Sequence, residues 1–366
     1  MTTGDTVRLV EATTPRTAEL PPLERVSPGS REELASLLAE ASASGRRLLI
    51  WGGGTHQGIG YPVEADLVVD TSRLDRIISW EPDDLTLVVE AGARVAEIEA
   101  ELATKGQTAV LPEVPGGATV GGVVAAGVSG YRRCRYGPTR DRMLEVTLAT
   151  GDGRIVRGGG RVVKNVSGYD LPRLATGSLG GLGVIVSVCL KLWPTRGFRA
   201  TVEVEDPAAA WRRLYRPLAV LQTPRGSFAY LEGVPDEVVA KADALGGRWT
   251  EGHQWPGPPD GEYVVSIRVR PSDVARAVEV IPAGWDYVAQ HGVGEITAAG
   301  AGSDTVERLR TWAESRGGWV VVLWAPPDSP VDPWGTPPQG LDLQRRLVGA
   351  FDPARVVNPG RLPGRI

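Results

Sequence analysis

Cysteine is almost absent: Cys134 and Cys189 are the only two in 366 residues. Two thiols cannot ligate an iron–sulfur cluster, which takes about four, and they make no disulfide framework. They are read as reduced. Histidine is nearly as scarce, with only His56, His253 and His291. No spacing among the three marks a metal site, so none is expected. No stretch approaches the roughly 18–20 continuous apolar residues of a transmembrane helix. The opening MTTGDTVRLVEATTPRTAELPP has no apolar h-region and reads as a polar arm, mobile to about residue 20. The expected location is therefore cytoplasmic, with any membrane association made through partners. A net charge of −4 gives no electrostatic reason for nucleic acid or a polybasic membrane contact.

What the chain does have is glycine and proline, 47 and 29 residues. Together they fall short of the roughly 25–30% typical of low-complexity chains, so they shape backbone rather than mark disorder. The length suggests about two domains. SREELASLLAEASASG (30–45) reads as a helix, with a capping box at Ser30 and Glu33 and a stop at Gly45. RRLLIW (46–51) is a strand running into three glycines, and 66–71, 76–81 and 85–91 are further strands. A helix is expected over 94–105, a hairpin over 143–160 and an alternating strand over 182–194. TVGGVVAAGVSG (119–130) is either a closely packed helix or a ligand-facing turn.

After about residue 196 the glycine motifs thin out. Residues 263–325 follow a βαββαβ order, the ferredoxin-like split motif. No internal repeat is apparent in the sequence. A proline-rich connector, a helix over 341–351 and the tail DPARVVNPGRLPGRI close the chain.

Three glycine-rich segments carry the chemistry. LLIWGGGTHQGIG (48–60) delivers Gly52, Gly53 and Gly54 from a strand, then Thr55, His56 and Gly58. Consecutive glycines let backbone N–H groups converge on an anion. No Gly-Lys-Ser/Thr follows and no helix opens there, so neither a P-loop nor a dinucleotide fingerprint applies. PEVPGGATVGGVVAAGVSGYRRCRYGPTRD (112–141) sets Arg132, Arg133, Arg135 and Tyr136 directly after small residues. A flat ligand with phosphates accounts for both features. RVVKNVSGYDLPRLATGSLGGLGVIVSV (161–188) places Gly177, Gly180, Gly181 and Gly183 before a strand; a salt link between Lys164 and Asp170 is the simplest reading of those two.

Taken together, GGGTHQGIG, PGGATVGG, GRVVKNVSGYDLPRLATGSLGGLGVI and the terminal FDPARVVNPGRL resemble the vanillyl-alcohol-oxidase/PCMH superfamily of FAD-linked oxidoreductases. Within it the pattern resembles the FAD-binding subunits of bacterial glycolate oxidases. The resemblance implies an α+β fold: a two-lobed PCMH-type FAD-binding domain followed by a smaller ferredoxin-like cap. The expected division is an arm over 1–20, the FAD domain over 21–196, a cap or partner domain over 197–340, and a helix and tail over 341–366 returning to the flavin.

It also implies site residues. Gly52, Gly53, Gly54, Thr55 and Gly58 would cradle the FAD pyrophosphate. Pro115, Gly116, Thr119, Gly121 and Gly122 would lie along the ribityl and diphosphate, and Ser129 and Gly130 near the ring. Gly177, Gly183 and Ile185 would receive the adenine side. Asn358, Gly360 and Arg361 would reach the isoalloxazine, with Arg361 supplying a cation near N1/C2=O. Some members attach FAD to a histidine in this loop, but Thr55 stands at that place and His56 one residue later. FAD is therefore expected to be noncovalent, with His56 a polar neighbour.

The hydroxyacid dehydrogenases of the superfamily carry an HxH pair that this chain lacks. His291, Tyr136 and Tyr169 are the candidates for a catalytic base. The expected function is a subunit of a glycolate oxidase-type complex that oxidises a small 2-hydroxy acid to a 2-oxo acid, with hydride passing to flavin N5. Its expected partners are a second flavin subunit and an iron–sulfur subunit. The alternatives are a stand-alone FAD oxidase or dehydrogenase of a polyol, lactone or hydroxy acid, and a non-catalytic interaction subunit.

Overall fold

The computed structural model describes residues 16–114, 116–161, 168–195 and 197–366, so Pro115, Lys164 and most of the N-terminal arm lie outside the described residues. The chain divides into two compact units. One comprises Thr17–Gly130, Gly137–Thr195 and Thr336–Ile366; the other comprises Arg16, Tyr131–Tyr136 and residues 197–335.

Among the described residues the first unit holds three sheets, the smallest a pairing of Gln107–Thr108 with Trp193–Pro194. Leu67–Asp70 is the centre of a parallel three-stranded sheet, flanked by Arg25–Val26 and Leu48–Trp51. The helix Arg31–Ser44 covers it. Ser30 Oγ accepts from the Glu33 N–H at 3.1 Å, while the Glu33 carboxylate accepts from Gly29 N rather than closing the box on Ser30. Gly45 ends the helix in the left-handed region, φ 70°. Leu34, Leu38 and Ala41 pack on Leu48, Leu67, Val69 and, from the far end of the chain, Val356 and Val357. Burying each such leucine contributes about 1.5–3 kcal/mol.

The larger sheet has five antiparallel strands in the order Ile77–Glu81, Thr86–Glu90, Val184–Lys191, Met143–Ala149 and Ile155–Gly159. Val184–Lys191 is not the half-exposed alternating strand its sequence suggests. Val188 and Leu190 join the core beneath the helices Val95–Ala103 and Val120–Ala126, while Val184 and Val186 join the core of the first helix. Both faces are covered, so Ser187 is buried as well. The open alternative over 119–130 resolves to a helix, Val120–Ala126. Thr119 caps it by accepting from Gly122 N at 3.2 Å.

The second unit is one antiparallel sheet of eight strands. Their order is Trp249–Glu251, Phe198–Val204, Gly226–Gly233, Ala219–Thr223, Asp286–Gln290, Glu295–Gly300, Tyr263–Arg268 and Trp319–Trp324. This is the βαββαβ arrangement twice over, in tandem. The helices Pro207–Arg213 and Pro235–Leu245 serve the first block, and Val274–Glu279 and Ser303–Glu314 the second. The blocks join edge to edge through Leu221↔Gln290 and Gln222↔Ala289. The duplication lies in strand order rather than in residues. The closing strand of the first block is only three residues long, which hides it from sequence periodicity.

Gly53 marks the tightest crossing in the first unit. A Cβ there would lie 1.8 Å from the Gly117 carbonyl oxygen, although its φ is unremarkable for an L-residue. Gly53→Ala is therefore expected to destabilise the ligand-free protein by more than about 2 kcal/mol. Gly349→Ala, inside a helix with open space around it, should be neutral or stabilising. Scanning calorimetry of both variants without ligand checks this; an unchanged midpoint for Gly53→Ala would mean that the crossing relaxes freely.

Candidate functional site

The strand Leu48–Trp51 ends at Gly52, and the loop that follows forms one wall of an open cleft. Gly52–Gln57, the helix face Gly121, Gly122, Ala125 and Ala126, the turn from Leu179 to Ile185, and Asn358 and Arg361 line it. Among the described residues that line it none carries a carboxylate, whereas Arg361 carries a cation.

The hydrogen bonds of the loop are lopsided. Gly54 O accepts from Ala18 N at 3.1 Å, which also ties residue 18 down despite its place in the expected mobile arm. Arg361 takes the next carbonyls: Nη2 donates to His56 O at 3.0 Å and Gln57 O at 3.1 Å, and Nε to Ile59 O at 3.0 Å. Arg361 Nη1 donates to Gln57 Oε1 at 2.6 Å, while Gln57 Nε2 donates back to Ile50 O at 2.9 Å. By contrast, no backbone N–H from Gly52 to Gly58 donates to another described residue. Peptide donors in a half-buried loop normally find partners. The Arg361 side chain is buried, which lowers its pKa to about 10 and leaves it protonated at neutral pH.

Asn358 makes the second clamp. Its Oδ1 accepts from Ile50 N at 2.8 Å, its Nδ2 donates to Leu179 O at 2.8 Å, and its own N–H donates to Leu48 O at 2.9 Å. It sits at φ 45°, a left-handed conformation that asparagine tolerates. Gly180 must lack a side chain here, since a Cβ would fall 2.3 Å from Asn358 Nδ2. Upstream, the buried Asp352 carboxylate accepts from Val357 N at 2.8 Å and fixes the turn that presents the tail; burial pushes its pKa up.

Of the expected residues, Gly52, Gly53, Gly54, Thr55, His56, Gly121, Gly122, Gly183, Ile185, Asn358 and Arg361 line the cleft. Gly58, Gly116, Thr119, Ser129, Gly130, Gly177 and Gly360 are not among its lining residues. Ser129 Oγ accepts from Thr139 N at 3.0 Å, and Gly177 N donates to Val124 O at 3.0 Å. Pro115 lies outside the described residues. Arg361 points its fork at the loop carbonyls, where the sequence suggested a cation for a flavin ring.

Two of the three candidate bases, His291 and Tyr136, belong to the second unit. His291 is buried, with Nε2 2.9 Å from Gln222 Oε1. Tyr136 packs beside Leu218 and Tyr230 in that unit. Tyr169 is 92% exposed and lines a separate hollow with Arg154, Arg157 and Phe351. The basic cluster also has a different use from the expected phosphate contact. Arg133 is ion-paired with Glu295, which Arg268 meets from the other side at 2.7 Å, and Arg135 donates to Glu232 O at 3.3 Å. Asp170 caps the helix Leu171–Ala175 by accepting from Arg173 N at 3.0 Å. Sequence reasoning missed Ile50, Gln57, Thr71, Ala91, Ala125, Ala126, Leu179, Gly180 and Val184; Gln57 had a signal as a polar residue inside the glycine loop, and Gly180 as part of the third glycine-rich segment.

His56 and His291 are neutral. Burial, followed by the Arg361 charge, pulls His56 down to about 4, and burial pulls His291 down to about 4 from an ordinary 6.5. His56 Nδ1 lies 2.9 Å from Thr55 Oγ1. Between those values the unfolded chain binds more protons than the folded one, so stability is lost as pH falls through that window. Melting at stepped pH should show the loss, and His56→Gln and His291→Gln should each remove a share of about 2 kcal/mol. Profiles that match wild type in both variants would show that neither ring resists protonation.

Set beside known proteins, residues 22–159 match the family model described as FAD binding domain. Glycolate oxidase subunit GlcE of Escherichia coli (strain K12) is 33% identical over 220 residues, 57% of this chain and 62% of that protein. Glycolate oxidase subunit GlcD of Bacillus subtilis (strain 168) is 33% identical over 175 residues, 46% of this chain and 36% of that protein. D-lactate dehydrogenase of Archaeoglobus fulgidus is 32% identical over 172 residues, 46% of this chain and 38% of that protein. The match thus covers less than two thirds of the length of these relatives. A solved alkyldihydroxyacetonephosphate synthase superposes with a TM-score of 0.66 at 16% identity, covering 92% of this chain and 77% of that one, a likeness of fold. The chain is therefore built on an FAD-binding domain, residues 22–159, within the PCMH-type FAD-binding fold.

Proposed function

We propose that the cleft holds FAD noncovalently and that the chain takes part, as a subunit, in oxidising a small 2-hydroxy acid to a 2-oxo acid. The observation that carries the cofactor placement is the set of N–H groups from Gly52 to Gly58 with no partner among the described residues, beside a buried cation. A pyrophosphate is a ligand that satisfies such donors, as anions do in other backbone nests. The absence of carboxylates from the lining fits the same ligand. FAD, when bound, supplies a two-electron acceptor.

The residues of this chain supply the rest. Ala125, Ala126, Leu179 and Ile185 give apolar wall that excludes water from a flat ring. His56, neutral and engaged with Thr55, acts as a polar neighbour of the loop. Gly122 is informative because protein contacts do not demand it. A Cβ there would meet only its own capping oxygen, Thr119 Oγ1, at 3.0 Å, and glycine within a helix costs about 1 kcal/mol relative to alanine. Its missing side chain leaves room in the cleft.

The subunit reading rests on the relatives, two of which are named as subunits of glycolate oxidase. In this reading a second flavin subunit and an iron–sulfur subunit carry the electrons onward, since two free cysteines hold no Cys-ligated cluster. Among the described residues no helix is long and apolar enough to cross a membrane, so membrane association would run through those partners.

Acid precipitation of the yellow protein should release the flavin into the supernatant; colour held in the pellet would overturn noncovalent binding. Gly122→Leu should bind FAD at least ~10-fold more weakly while its ligand-free melting stays within about 1 kcal/mol of wild type. Full FAD retention in that variant would move the cofactor elsewhere. Anaerobic mixing of the purified chain with glycolate or D-lactate should bleach the flavin slowly, and companion subunits should accelerate it. Rapid bleaching by one acid alone would replace the subunit reading with a stand-alone dehydrogenase.

A further inference from the structure

We propose that Arg361 is a positioning residue that makes the 52–58 loop an anion site: its guanidinium captures the loop's carbonyls from behind and leaves the N–H groups and a positive charge for the ligand's diphosphate. This rests on the FAD reading but assigns Arg361 away from the flavin ring.

A peptide group presents its N–H and C=O in opposite directions. A loop free to choose would turn some carbonyls toward a cleft, and each would repel a phosphate oxygen. Here the carbonyls of His56, Gln57 and Ile59 all accept from one buried guanidinium. Gln57, whose side chain also accepts from it, is braced on Ile50 O. The planar fork reaches several acceptors in one plane, which an ammonium does not. Every acceptor named is uncharged, so the fork orders the loop without placing a carboxylate beside the cleft. The Tyr61 N–H donating to Arg361 O at 3.1 Å ties the backbone of the same residue to the far end of the loop. The peptide groups that carry the carbonyls of His56, Gln57 and Ile59 turn the N–H groups of Gln57, Gly58 and Gly60 the opposite way, and none of these has a partner among the described residues.

A cation that served the isoalloxazine would act on the flavin's reduction potential and leave the diphosphate half of the ligand untouched. ADP isolates that half, because it carries the adenosine diphosphate without a ring. The test is titration of the flavin-free full chain with ADP and with FAD, for wild type, Arg361→Ala and Arg361→Lys. Arg361→Ala should lose at least ~10-fold in affinity for ADP and by a similar factor for FAD. Millimolar guanidinium should restore part of both. Arg361→Lys keeps the charge but not the fork and should fall between the two; if Arg361→Ala does not fold, the lysine variant decides. The reduction potential of flavin still bound to the variants should match wild type.

ADP affinity equal to wild type in the variants, or a shifted potential with ADP affinity intact, would overturn the inference and return Arg361 to the ring. Wild type that binds neither ADP nor FAD would instead overturn the FAD placement, so the two failures are distinguishable.

Discussion

A guanidinium taken out of water must be given acceptors, and Arg361 receives them from the backbone of one loop. That exchange is the constraint from which the site follows. Burying the cation without partners would cost several kcal/mol. The loop carbonyls of His56, Gln57 and Ile59 and the Gln57 amide provide the acceptors, so the segment after Leu48–Trp51 has one well-determined shape. The same exchange leaves the opposite side of those peptides as donors.

The clamp is made by residues some three hundred positions downstream, which closes the fold of the first unit on itself. Val357 bridges Leu48 in parallel, extending the small sheet by one rung. Asn358 then joins that sheet to the turn at Leu179, which leads into the central strand of the larger sheet. Asp352 sets the angle at which this tail arrives. Strand, loop, turn and tail are therefore mutually dependent, and a change at Gly180 or Asn358 is felt in all of them. The helix Val120–Ala126 completes the cleft from the other sheet, where small residues allow close approach: a Cβ on Gly121 would lie 2.6 Å from Ala91 Cβ.

The second unit uses charge in another way. Its sheet carries Glu295 between Arg133 and Arg268, and the short segment Tyr131–Tyr136 is held there by ion pairing and by the contact of Tyr131 with Trp255. Tyr230 stacks on the same Trp255 with ring centroids 4.1 Å apart and donates to Gln254 O at 2.8 Å. Arginines that follow a glycine-rich helix in the sequence thus serve to anchor their own segment. Linear adjacency suggested a shared ligand, but the chain passes from one unit to the other at Gly130.

The sequence by itself determined the local pieces. Capping at Ser30 and Gly45, β-branched runs, the glycine loop and the βαββαβ order of 263–325 are encoded within a few residues each, where periodicity and turn chemistry act. The resemblance of four ordered motifs carried the FAD domain and the fold class. Tertiary structure alone decided everything that depends on distant partners. Glycine in a motif looks the same whether it faces a cleft, as Gly122 does, or makes room for backbone, as Gly53 does against Gly117. An arginine in a tail looks the same whether it meets a ring or a loop. The first βαββαβ block, over 198–251, is not legible in the sequence because its closing strand is only three residues long and its topology repeats without residues repeating. Long-range contacts select among such readings because backbone groups, once buried, must each find a partner, and which partner is near is a property of the folded chain.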